Sequence, residues 1–362
     1  MDNKDNKILP INDKVMIYGY TYHAYSQAIL TNPMTQQELN KYGYDNWFYS
    51  NNIQLYCKNS EKKYYSLPAD FYTGYLAKNY TNNPFLEVNT LSKRELLHMG
   101  DIIRYVIDKL DLGYYVELWF DEFYIPGTEA YKTYTFHHQT LLYGYDRKHQ
   151  RFNIFHLEKD GYFTTAVITF EEFTKSFMSA YRVRNIHWIE EVIFMKPCKP
   201  AFIYQVNLEL IIFYLEEYLQ GNNTYRTLQY CYQEPENKYG KDVYNEIINL
   251  LKEDFEDYRI TNIILEHKKI MNMRMDYLYS VKCLNQEEYT KFKDRAVDLE
   301  KQARVIKALH LKYILGGNVA NKKEMIEYIT VLAEKEYEFY KMLLANLKEK
   351  TEVQMKKQGG CM

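Results

Sequence analysis

The chain has 362 residues, 46% hydrophobic and 26% charged, with a formal net charge of −2, a globular composition long enough for two ordinary domains. That balance lacks the positive excess of a general polyanion binder, so nucleic acid is not expected as a partner. No apolar run reaches the length of a membrane span, and LELIIFYL is broken at once by Glu216 and Glu217, so no membrane partner is expected either.

The opening stretch MDNKDNKILP is charged and lacks the apolar centre of a signal peptide. The first helix is expected over residues 22–31 and a second over 92–110, where Leu96, Met99, Ile103, Val106 and Leu110 recur at helical spacing. Four strand-like runs follow between residues 114 and 170: YYVELWFDEFYI, HQTLLYGYD, RFNIFHL and YFTTAVITF. Turn chemistry at Pro126-Gly127, Asp146-Arg147 and Asp160-Gly161 separates them. Neighbouring strands with short turns predict a meandering antiparallel sheet after a helical start, an α+β arrangement.

The segment KPCKPAF, with Pro197 and Pro200, marks the expected boundary between domains. All eight prolines lie at or before Pro235, and the remainder excludes the residue that helix interiors exclude. Helices are expected near 207–220, 239–255 and 260–281. Asn285 with Glu288 has capping-box spacing. A stripe of Tyr289, Phe292, Ala296, Leu299, Ala303, Ile306, His310 and Tyr313 then runs to a stop at Gly316-Gly317. Asn321 with Glu324 opens a last helix expected to pack antiparallel to it. The division is an α+β domain at 1–198, an all-α helical domain at 199–350 and a flexible tail at 351–362. The helical domain is a candidate homodimer surface.

Five cysteines (Cys57, Cys198, Cys231, Cys283 and Cys361) form no CxxC pair, which points away from zinc and disulfides and towards a reducing cytoplasm. The 39 tyrosines read as the codon bias of an AT-rich coding sequence or as a tyrosine-lined cleft. Functional residue types are densest at His137, His138, Asp146, His149 and His156. His138, at the start of a strand, can project into a cleft and act as acid or base near neutral pH; otherwise these histidines are polar residues on a sheet edge. Metal binding by His137, His138 and His156 with Asp121 or Glu122 is disfavoured, because adjacent strand residues face opposite sides. Neither a metal nor a cofactor is expected.

The stretch from Phe120 to Phe173 resembles the sheet core of papain-like bacterial proteins, such as the butirosin biosynthesis protein H N-terminal domain family and bacteriocin-processing cysteine peptidases. The matching pieces are Tyr124 to Gly127, His138 with Leu141 to Asp146, Phe152 to His156, Gly161-Tyr162 and Glu171 to Phe173. The segment WFYSNNIQLYC, Trp47 to Cys57, is similar to the same group. The resemblance covers about residues 10–195. It implies a papain-like fold and acyl transfer, or the making or cleaving of amide bonds, in bacterial peptide or secondary-metabolite biosynthesis. An acyl or peptidyl carrier protein, or a peptide, would be the partner. It makes His138 the general base and puts the orienting acid near His156. The nucleophilic cysteine would stand just before AYSQAIL, where the sequence has Gly19, Tyr20, Thr21, Tyr22 and His23. Thr21, His23 and Ser26 are the groups available there, and Cys57 is the one thiol of the first domain that precedes His138. The alternative is a degenerate member that binds without catalysing.

Overall fold

The computed structural model describes residues 5–58, 68–71, 80, 82–183, 187–227, 237–317 and 319–359. In chain order these form β1 (Asn6–Ile8), α1 (Thr21–Leu30), α2 (Pro33–Asn40), α3 (Tyr44–Ser50), β2 (Tyr56–Cys57), β3 (Ala69–Asp70) and β4 (Leu86–Ser92). Next come α4 (Lys93–His98), α5 (Ile102–Asp111), β5 (Tyr115–Asp121), β6 (His137–Asp146), β7 (Arg151–Leu157), β8 (Phe163–Thr169) and α6 (Phe170–Tyr181). The remainder is β9 (Glu191–Pro197), α7 (Leu208–Gln220), β10 (Lys238–Tyr239), α8 (Val243–Lys252), α9 (Arg259–Ser280), α10 (Gln286–Gly316) and α11 (Val319–Gly359). Among the described residues no helix is long and apolar enough to cross a membrane.

The chain divides into two compact units, Met1–Tyr42 with Ala77–Ile203, and Gly43–Leu76 with Tyr204–Met362. This differs from a cut at residue 198: the segment around Cys57 belongs to the second unit.

The first unit is built on a seven-stranded antiparallel sheet in the order β4-β9-β5-β6-β7-β8, with β1 also paired to β6. The predicted meander β5 to β8 is present. Strands β4 and β9 extend it; LEVNTLS lacks a clean alternation, and VIFM abuts the prolines that read as a linker. On β6, β5 takes His137 to Leu142, and β1 takes Gly144 to Asp146. A Cβ on Gly144 would lie 2.7 Å from the Lys7 carbonyl oxygen, so only glycine lets β1 approach there. The helix expected over 92–110 is two helices separated at Gly100, whose φ is +92°. Capping boxes at Ser92/Glu95 and Thr169/Glu172 start α4 and α6. Phe173 and Phe177 of α6 are fully buried, and Phe173 packs on Phe120 and Phe152 of the sheet. Strand β5 runs past its last pairing with β9 at Leu118. Beyond that point Lys93 Nζ donates to the Trp119 carbonyl (2.5 Å) and Ser176 to that of Asp121 (2.8 Å). Both oxygens would otherwise be costly to bury.

The second unit centres on α9, whose apolar residues Ile260, Ile263, Ile264, Ile270, Met275 and Leu278 are buried. Side-chain bonds Asn272–Glu300 and Thr261–His310 set α10 antiparallel to α9, and Asn346–Glu288 and Lys335–Asp298 set α11 antiparallel to α10. Asn285 and Glu288 form the expected capping box, and Gly317 ends α10 in the left-handed region. Helix α11 starts at Val319, before the expected Asn321, and runs to Gly359, through most of the segment expected to be a flexible tail. The unit is not purely helical: β2, β3 and β10 form a small antiparallel sheet.

Two side chains on α9, Arg274 and His267, hold residues 49–53 in this unit. Arg274, fully buried, donates to the carbonyls of Tyr49 (2.8 Å), Asn51 (2.5 Å) and Asn52 (3.3 Å), the orphan acceptors at the end of α3. His267 Nε2 donates to the Ile53 carbonyl at 2.8 Å. Lys268 Nζ donates to His267 Nδ1 (2.8 Å) and pairs with Glu336 of α11. Glu336 also accepts from the Tyr218 hydroxyl (2.8 Å) and from Tyr244. These partners are distant in sequence, so a composition shift cannot mark the boundary they create.

Candidate active site

The first turn after β5 and the first residues of β6 meet at a histidine–carboxylate pair. Glu122 opens a short 3-10 turn, Glu122–Tyr124, and its backbone N–H donates to the Phe136 carbonyl at 2.7 Å. That bond closes a loop whose two ends bring Glu122 beside His138. The imidazole Nδ1 of His138 lies 2.9 Å from Glu122 Oε1, with the side chains 21% and 9% exposed. A carboxylate at Nδ1 holds the proton on that nitrogen and leaves Nε2 as the acceptor. Nε2 makes no hydrogen bond among the described residues. The pair therefore has the form of an oriented general base.

Asp121, the preceding acid, has a different task. Its carboxylate accepts from the backbone of Phe123 (3.1 Å) and Phe136 (3.2 Å) and from the Ser179 hydroxyl (2.6 Å), which ties the loop to α6. His137 pairs across from Asp121 in the strand register. Burial lowers its pKa, opposed by the charge of Asp121.

His156 lies on β7 and is 2% exposed. It follows Phe155, which pairs with Leu141 of β6. Burial pulls its pKa below the usual value, while the nearby Glu122 charge and the Leu157 backbone act the other way. A Cβ on Gly127 would lie 3.7 Å from His156 Cε1 and 3.7 Å from Glu158 Oε1, so the Pro126-Gly127 turn covers this imidazole. Glu122, not the residue at position 156, supplies the acid beside His138. A turn residue before the strand is hard to pair with His138 from sequence, although both lie within the same cluster.

The start of α1 is engaged elsewhere. Thr21 donates its hydroxyl proton to Gln139 Oε1. Gln139 Nε2 donates to Glu117 Oε1 at 2.7 Å, and Tyr80 donates to the other oxygen of Glu117. The Tyr25 hydroxyl donates to the Gln139 carbonyl at 2.6 Å. Gln139 and His138 are neighbours on a strand and project to opposite faces, so Thr21 meets the amide and not the imidazole. Burial raises the Glu117 pKa to about 7, opposed by its two donors. His23 is fully buried on α1, with its ring edge-on to Tyr22 (4.6 Å) and Tyr20 (5.3 Å). Ser26 bonds back to the Tyr22 carbonyl of its own helix at 2.7 Å.

Cys57 is in the other unit, on β2, fully buried, and desolvation raises its thiol pKa, the Glu246 charge adding to the effect. Cys231 and Cys361 lie outside the described residues. Among the described residues no group of three His, Cys, Asp or Glu side chains is arranged to hold a metal ion.

No family model matches the chain, and no curated protein matches it.

Proposed function

We propose that the first unit carries a papain-like acyl-transfer site in which His138 is the general base and Glu122 its orienting acid. The observation that carries this reading is the 2.9 Å contact between Glu122 Oε1 and His138 Nδ1 in a largely water-excluded corner of the sheet. A base held in this way takes a proton from a nucleophile in contact with Nε2. The side chains offered by sequence for that role, Thr21 and Cys57, are occupied by Gln139 or buried in the second unit. In this reading the nucleophile is the incoming amine or water: its proton passes to His138 Nε2 as it attacks the acyl carbon, the thioester C–S or amide C–N bond breaks, and the imidazolium returns the proton to the departing thiolate or amine, without an acyl-enzyme. A carrier-borne acyl group or a peptide is the substrate class, and bacterial peptide or secondary-metabolite assembly in the cytoplasm is the setting.

The test is turnover of acyl N-acetylcysteamine thioesters with an amine acceptor by the full chain and by His138→Ala. General base catalysis supplies about 10²–10⁴-fold in rate, and the variant should lose at least the lower figure. Equal rates would remove His138 from the chemistry. A second reading, a binding protein without catalysis, is favoured by the absence, among the described residues, of a thiol beside His138. It predicts that the full chain binds these thioesters without consuming them.

A further inference from the structure

The thirteen residues between Glu122 and Phe136, FYIPGTEAYKTYT, form a closed loop with its own bonding. Its neck is the Glu122–Phe136 backbone bond. Inside it, Lys132 N–H donates to the Phe123 carbonyl at 3.0 Å, and the Thr128 hydroxyl contacts the carbonyls of Glu122 (3.1 Å) and Ile125 (2.9 Å). Ile125 and Ala130 are fully buried beneath it. Compact loops with close ends and internal packing often carry function. This one begins at the orienting acid and ends two residues before the base.

Its rim is aromatic. Phe136 is 47% exposed, yet its ring centroid lies 5.8 Å from that of His138. Tyr134, two residues earlier, is 48% exposed. The Phe136 side chain has no polar atom to offer and is left half-exposed to water beside the imidazole ring. Among the described residues no cationic side chain lies over the Phe136 ring, the loop's Lys132 lying over Tyr131 at 4.9 Å. A flat or branched apolar group gains contact on the ring.

We infer that Phe136 forms the acyl-recognition surface of the His138 site and selects an apolar, preferably aromatic, acyl group. This rests on the acyl-transfer reading above. The experiment compares phenylacetyl, hexanoyl and acetyl N-acetylcysteamine thioesters, both as substrates of the full chain and, by calorimetry, as ligands of His138→Ala. The full chain should prefer phenylacetyl over acetyl by about tenfold or more in kcat/KM, the scale on which apolar pockets discriminate. Phe136→Ala should cut that ratio at least about fivefold through KM. His138→Ala should bind phenylacetyl thioester more tightly than acetyl without turning it over, and adding Phe136→Ala should erase the difference. If His138→Ala keeps full turnover, the base assignment fails. If His138→Ala is inactive but Phe136→Ala keeps the acyl preference, the recognition surface alone fails. A chain that neither converts nor binds any of the three thioesters overturns both.

Discussion

Thr21 hands its hydroxyl proton to Gln139, the residue next to His138 and on the other face of β6. The first residue of α1 is thereby tied into a chain that runs through Gln139 to the buried Glu117. The imidazole instead turns to Glu122. Two adjacent strand residues thus separate a structural network from the proposed catalytic pair.

The orienting role of Glu122 predicts an effect beyond lost packing. Glu122→Gln preserves shape but can hold the wrong tautomer at His138, and the rate should fall about 10²-fold or more. The bond and its loss are read from imidazole nitrogen chemical shifts together with turnover. Unchanged turnover would show that His138 works alone or not at all.

Glu117 should make the sheet unit respond to pH. Its folded pKa of about 7 exceeds the ordinary carboxylate value of 4.5, so the folded state holds a proton that the unfolded state releases. Stability is full below the unfolded pKa and is lost as pH rises through about 7. A shift of this size corresponds to roughly 3 kcal/mol. Glu117→Gln cannot ionise, and its stability relative to the parent should improve by that order between pH 4 and pH 8 in urea titrations. A constant difference across that range would exclude the buried carboxyl as the cause.

His267 should act in the opposite sense on the helical unit. Burial, with the Lys268 charge adding to it, holds its pKa well below the ordinary imidazole value of 6.5. The unfolded state therefore binds a proton that the folded state refuses. Stability is present above about pH 6.5 and is lost as pH falls below it. Helical circular dichroism followed in denaturant at pH 7 and pH 5 should show this loss, and His267→Gln should reduce it.

Glu336 is the carboxylate on which Lys268, Tyr218 and Tyr244 converge. Glu336→Leu leaves a buried ammonium without its partner and should cost about 3–5 kcal/mol. Lys268→Met combined with Glu336→Leu should recover much of that. A double variant as unstable as the sum of the singles would argue against a coupled pair.

Cys57 should be inert in the folded chain. Its thiol is fully buried with a raised pKa, and iodoacetamide at neutral pH should leave it unmodified until denaturant is added. Cys57→Ala should retain turnover. Rapid alkylation of this residue in the native chain would restore it as a nucleophile.

Local sequence determined the elements that depend on short-range chemistry. The apolar and aromatic runs in HQTLLYGYD and RFNIFHL, bounded by turn residues, specify strands, and Asn285 with Glu288 specifies where α10 begins, because these signals act within a few residues. His138 stood out by its residue type and strand position. Tertiary structure decided what it meets. Glu122 reaches it across 16 positions only because the loop between them closes on itself. The side of β6 on which α1 packs sends Thr21 to Gln139. Likewise Arg274 reaches back 225 positions to the end of α3 and brings Cys57 into the helical unit. Hydrogen bonds of that range leave no periodic trace in the sequence, since each needs only one donor and one acceptor brought together by folding.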